Sequence, residues 1–158
     1  MLDEVAARTP APGGGSAAAW ALALAAALVE MAAAFSDREV AADLRAQALT
    51  LADRELSAYG PVLEASRLPK DDPARSERLG AALSAAADSP LEIARLAAEV
   101  EGLARDLAAR GNRTLEGDAN TAAELAGAAR RAAARLVEIN LSARPDDPRL
   151  GEAKRLRA

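Results

Sequence analysis

Apolar residues along this chain fall in blocks with helical rather than alternating spacing. Ala17 to Val29 is thirteen apolar residues in a row. Ahead of it, Thr9-Pro10-Ala11-Pro12-Gly13-Gly14-Gly15 is kept out of a helix by two prolines and three glycines. The pattern predicts a first helix from about Ala17 to Phe35 with Ser16 as its N-cap. Ser36-Asp37 is expected to cap a second helix carrying Val40, Leu44, Leu51, Leu56 and Tyr59, which Gly60-Pro61 kinks or ends. Leu68-Pro69-Lys70-Asp71-Asp72-Pro73 reads as a turn, with Pro73 opening a third helix that ends near Asp88. Ser89-Pro90-Leu91-Glu92 is a start signal for a fourth helix, Pro90 to Arg110, closed by Gly111-Asn112. A fifth runs from about Ala119 to Ser142, with Asp118 placed to cap it, and Arg144-Pro145-Asp146-Asp147-Pro148 separates it from a short sixth, Arg149 to Arg157. The Arg130-Arg131 pair and the stretch from Arg144 to Arg157 read as solvated faces.

Composition sharpens this to an all-α fold. Forty-five Ala and 22 Leu stand against six Val, two Ile and one each of Phe, Trp and Tyr, too few strand-forming residues for a sheet. A length of 158 residues suits one domain over 1–158, a bundle of about five to six helices. Small side chains let helices approach closely but bury little area each, so a homodimer is expected to supply the remainder. The apolar run falls short of the roughly 20 residues a membrane span needs. Glu30 ends it, and the residues before it lack a positive leader, so a core helix in a cytoplasmic protein with no membrane partner is expected.

The chain has neither His nor Cys. That excludes Ser/His/Asp and Cys/His triads, thiol redox chemistry and zinc fingers, and no metal site is expected. Acid–base work falls to carboxylates, Tyr59, Lys70 or Lys154. A net charge of −4 and scarce aromatics argue against nucleic acid as a partner.

Three places suit chemistry. Gly13, Gly14, Gly15 and Ser16 precede the most apolar helix and leave backbone N–H groups free at the positive end of its dipole, although a flexible linker has the same composition. The loop from Asn112 to Asp118 and Asn120 gathers a carboxylate and amides, where capping alone also accounts for Asp118 and Asn112. Glu30 and Asn140 interrupt apolar stretches and need polar partners or solvent.

The opening motif Thr9-Pro10-Ala11-Pro12-Gly13-Gly14-Gly15-Ser16-Ala17-Ala18-Ala19 resembles that of the formiminotransferase-cyclodeaminase C-terminal domain family. Leu51 to Tyr59, Ala65 to Lys70, Ser89-Pro90-Leu91, Gly111-Asn112, Gly117-Asp118-Ala119 and Ile139-Asn140-Leu141 resemble later blocks of that family in the same order. The chain departs from it in having Gly117 where Ser is usual, Glu55 where Asp is usual and Leu136 where Asn is usual. The resemblance implies a dimeric helical bundle with a folate cleft near the glycine motif, and a tetrahydrofolate derivative as substrate rather than any cofactor. The implied activity is cyclohydrolase: water adds to the cationic methenyl carbon of 5,10-methenyltetrahydrofolate and the adduct opens to formyltetrahydrofolate. Formimidoyltetrahydrofolate cyclodeaminase is the alternative, and a non-catalytic dimeric homologue that binds folate or a partner is the third reading. On this resemblance Asp118 is the expected catalytic carboxylate, with Glu30 second. Gly13, Gly14, Gly15 and Ser16 would bind the ligand, Asn112 and Asn140 the pterin, and Lys70 the glutamate tail.

Overall fold

The computed structural model describes residues 2–40 and 43–158, and every regular element among them is helical. In chain order these are α1 (Leu2–Ala6), α2 (Gly14–Ala34), α3 (Leu44–Ala58) and α4 (Gly60–Arg67). Then follow α5 (Arg75–Ala85), α6 (Asp88–Arg110), a 3-10 turn (Arg113–Leu115), α7 (Glu116–Asn140) and α8 (Pro148–Arg157). The six helices expected are present, with the second divided into α3 and α4 at Gly60-Pro61, where proline offers no N–H to continue the ladder.

The long helices α6 and α7 pair along their length, α2 and α8 pack on α7, and α3 closes against α2 and α6. Alanine makes this possible: Ala19, Ala26, Ala97, Ala126 and Ala133 are fully buried where axes pass, while Leu22, Ile93, Leu44 and Leu141 fill the wider gaps. By length and composition α2 is apolar enough to cross a membrane, yet half of its most apolar window is buried in the bundle, as expected of a core helix. Its outer face is apolar too. Ala17, Leu24 and Phe35 are exposed there, Leu24 at 56% and Phe35 at 65%, with Trp20, Leu28 and Met31 half-buried between them.

Several helix starts differ from the sequence expectation. Helix α2 begins at Gly14 with Gly13 at the cap, so Ser16 lies inside the first turn and is 1% exposed; the Ala17 N–H donates to Gly13 O at 3.0 Å without help from a side chain. Ser36 does not cap the second helix, which begins at Leu44 after a left-handed Asp43; residues 41 and 42 of that expected helix lie outside the described residues. Helix α5 opens at Arg75, with Pro73 left in the turn. Helix α6 opens at Asp88 behind Ala87, which leaves Ser89 and Pro90 in its first turn. Helix α7 opens at Glu116, so Asp118 is a first-turn acid facing the dipole rather than a cap.

Two of the arginines expected on solvated faces are instead structural. Arg130 donates to Glu101 Oε2 at 2.7 Å, their side chains only 14% and 8% exposed, and also holds the Leu156 carbonyl, which pins α8 to α6 and α7. Arg149 joins Asp147, Asp88 and Ser84 O, tying the start of α8 to the α5–α6 turn. Arg131, Arg144 and Arg155 are exposed as expected.

Candidate functional site

Helix α7 runs antiparallel to α2, so its C-terminal end meets the glycine run where α2 begins, and the end of α3 reaches the same place. Together they enclose a cleft of about 230 Å³. Gly13, Gly14, Gly15 and Ser16 form one side of it. Glu55 and Tyr59 of α3, Ala86 from the α5–α6 turn, and Leu136 and Asn140 of α7 form the other. The first-turn N–H groups of α2 have no partner within the helix and sit at its positive end.

Of the three glycines only the last is demanded by space. A Cβ on residue 15 would overlap the Glu55 carboxyl and its Cγ, whereas Gly13 and Gly14 have room for one. Residue 15 is therefore the point where the α2 backbone admits a carboxylate. Burial pushes the Glu55 carboxyl above its ordinary value of 4.5, an effect partly offset by the neighbouring Ser89 hydroxyl. Glu55 Oε2 and Ser89 Oγ are the buried side-chain polar atoms without a hydrogen-bond partner among the described residues. A buried polar atom left unpaired costs about 1–3 kcal/mol, and such atoms collect where a ligand or a reaction supplies the partner. Asn140, half-buried on the cleft wall, donates its Nδ2 to Ala86 O at 3.0 Å, and its side-chain oxygen has no hydrogen bond among the described residues.

The structure thus brings Gly13, Gly14, Gly15, Ser16 and Asn140 together in one cleft, and places the other sequence candidates elsewhere. Asp118 is eighteen residues before Leu136 on α7, about 27 Å along the axis. Glu30 is fifteen residues beyond Gly15 on α2, about 22 Å away, where it accepts from the Arg45 N–H at 3.3 Å and pairs with the Arg45 side chain. It serves the start of α3. Asn112 is spent on a joint: its Nδ2 donates to Phe35 O at 3.1 Å, its backbone N–H to Ser36 Oγ at 2.9 Å, and its Oδ1 accepts from Thr114. Lys70 is exposed in the turn between α4 and α5 and does not line the cleft.

Glu55 was legible in the sequence only as a departure from a family pattern. Its spacing from Tyr59 puts both on one face of α3, but many i, i+4 pairs share that spacing, and it is the contact with Gly15 that singles Glu55 out. Leu136, a second departure, lines the same cleft, while Gly117 does not. A larger groove of about 520 Å³ between α3 and α6 has its arginines already matched, Arg54 with Glu92 at 2.5 Å and Arg95 with Glu152 at 2.7 Å. No cluster of three potential metal-ligating side chains occurs among the described residues.

The chain is similar to known proteins in sequence and in fold. The chain is 36% identical to methenyltetrahydrofolate cyclohydrolase of Methylorubrum extorquens, over 89% of this chain and 76% of that protein. Its fold superposes on the crystal structure of formiminotetrahydrofolate cyclodeaminase from Thermotoga maritima with a TM-score of 0.82 and 26% identity, covering 99% of this chain and 83% of that one. The sequence profile of formiminotransferase-cyclodeaminase matches residues 1–155, and the chain belongs to that family.

Proposed function

We propose that this chain is an enzyme of one-carbon folate metabolism that hydrolyses 5,10-methenyltetrahydrofolate to formyltetrahydrofolate, with Glu55 as its catalytic carboxylate. The observation that carries the reading is the unpaired, partly buried Glu55 carboxyl facing a glycine-walled cleft. The methenyl carbon between N5 and N10 is cationic, so an ionised carboxylate beside it lowers the energy of the bound cation. As the water oxygen bonds to that carbon, a proton must leave the water, and Glu55 accepts it. Burial raises its proton affinity toward the working pH, which favours that role. One carbon–nitrogen bond of the adduct then breaks as the departing nitrogen takes the proton back from Glu55, and the hydroxyl proton of the adduct is released to solvent as its oxygen becomes the formyl oxygen. The free N–H groups at the start of α2 and the open oxygen of Asn140 supply hydrogen bonds to the pterin and to the oxygen that becomes the formyl group. No step calls on a cofactor.

Hydrolysis is favoured over ammonia release by the 36% identity to a cyclohydrolase. The test follows methenyltetrahydrofolate absorbance under conditions where spontaneous hydrolysis is slow. Accelerated decay supports the reading. Unchanged decay, with ammonia released from formiminotetrahydrofolate, replaces it with the deaminase; folate binding with neither reaction leaves a non-catalytic homologue.

The same reading includes a cytoplasmic homodimer joined through the outer face of α2. A two-fold axis that pairs these apolar faces antiparallel would carry Asn112 and Asp118 of one subunit toward the glycine cleft of the other. Light scattering after size exclusion checks this: wild type is expected at twice the chain mass, and Leu24→Glu, from the centre of the stripe, at one.

A further inference from the structure

Ser89 has no structural duty that explains its hydroxyl. It is 4% exposed, it lies in the first turn of α6, and the cap of that helix is Ala87, with no side-chain cap hydrogen bond. Its Oγ makes no hydrogen bond among the described residues, and neither does the buried Oε2 of the adjacent Glu55. Alanine would fill the same space in a bundle built of alanine, without leaving a hydroxyl unpaired. Two neighbouring unpaired polar atoms beside one cleft are accounted for together if they meet when the carboxyl carries its charge, because a hydroxyl donating to a carboxylate makes a stronger bond than two neutral partners.

We propose that Ser89 is a positioning residue for Glu55: its hydroxyl donates to the ionised carboxylate, holds it against Gly15 facing the cleft, and keeps it available as a proton acceptor. This rests on the reading of Glu55 as the catalytic carboxylate. Gly15 and Ser89 then act from two sides, the first by making room and the second by supplying the proton donor. A Ser89 hydroxyl beside the carboxyl acts to lower its proton affinity, against the larger effect of burial. Other charged groups at this end are already matched: Glu92 and Asp88 of α6 pair with Arg54 and Arg149. Tyr59 is the other titratable group on the cleft wall, and Asn140 of α7 is neutral.

The test compares wild type, Ser89→Ala, Ser89→Thr, Glu55→Gln and the Ser89→Ala/Glu55→Gln double variant as intact proteins. Glutamate carboxyls are followed by carbon NMR against pH, and the Glu55 resonance is assigned by its loss in E55Q. In S89A the Glu55 midpoint is expected to move to higher pH. The acidic limb of kcat/KM moves with it, so that activity falls about tenfold on the acidic side and recovers at high pH. Below the Glu55 midpoint, where the carboxyl is protonated, the melting temperature should hold or rise because an unpaired hydroxyl has gone, and above it S89A should melt lower than wild type; S89T should restore the limb. In the double variant S89A should add nothing to E55Q. A moved midpoint in a protein that does not hydrolyse methenyltetrahydrofolate supports the pairing and overturns the folate reading. An unmoved midpoint and limb, or a uniform loss of activity tracking a lowered melting temperature, overturns the role of Ser89.

Discussion

The two ends of α2 handle polar groups in opposite ways. At the C-terminal end, Ser36 Oγ donates to Ala32 O at 2.7 Å and accepts from the Asn112 N–H, Asn112 holds Phe35 O, and Glu30 holds the Arg45 N–H at the start of α3. Donors and acceptors are matched there, and the joint fixes α2, α3 and α6 relative to one another. At the N-terminal end, Glu55 Oε2 and Ser89 Oγ are buried without partners, the first-turn N–H groups face a cleft, and Gly15 gives up its side chain to admit a carboxylate. A matched end gains stability from each contact. The unmatched end gives up some of that stability and keeps its hydrogen-bonding capacity for a ligand. On the proposed function the same helix has a structural end and a chemical end, and substitutions at the two should separate cleanly.

The largest effect is expected at Glu55. Glu55→Gln should lower kcat by about 10²–10⁴-fold, the usual worth of a general base, while the fold survives. The sign with pH is specific. A carboxyl whose proton affinity rises on folding costs stability as pH climbs through its unfolded value toward its folded one, so E55Q should gain on wild type over that interval and match it at lower pH. Thermal denaturation at a series of pH values reads this. Next comes Gly15→Ala, which forces the Glu55 side chain away: turnover should fall by more than tenfold and stability by about 1–3 kcal/mol, as for other overpacked sites.

At the matched end the order reverses. Ser36→Ala should cost about 1–2 kcal/mol in denaturant titration, because the Asn112 N–H loses its acceptor, while kcat/KM stays within about twofold. The smallest effect, remote from both ends, is at Asp147, whose carboxyl the Arg149 guanidinium holds down to about 2. Its stabilisation is present above its ordinary value of 3.8 and lost as pH falls through 2, so Asp147→Asn should lower the melting temperature slightly at neutral pH and not at all below pH 2. Glu55 and Asp147 thus contribute with opposite sign.

The fold was readable because alanine and leucine leave a helix little competition, and because Gly60-Pro61 and Pro145 to Pro148 interrupt the ladder wherever they occur. Helix starts were less readable. Ser16, Ser36, Ser89 and Asp118 all have the chemistry of a cap, yet none caps the helix that follows it: Ser36 accepts from the Asn112 N–H, and Ser16, Ser89 and Asp118 lie inside the first turns of α2, α6 and α7. The glycine half of the cleft could be recognised from local sequence, since Gly13 to Ser16 are adjacent in the chain. Glu55 could not, because what distinguishes it is the missing side chain at Gly15, forty residues away. Asn112 and Asp118 sit at helix junctions, where a polar residue looks the same in sequence whether it serves the joint or a ligand; within one chain Asn112 serves the joint and Asp118 does not line the glycine cleft.

The most direct test of the account is single-turnover hydrolysis of methenyltetrahydrofolate by wild type, Glu55→Gln and Asp118→Ala, with folate affinity measured on the same samples. Wild type should accelerate decay, and E55Q should bind with similar affinity yet lose the acceleration. An E55Q protein that hydrolyses at the wild-type rate while D118A does not would contradict the assignment of the chemistry to the unmatched end of α2.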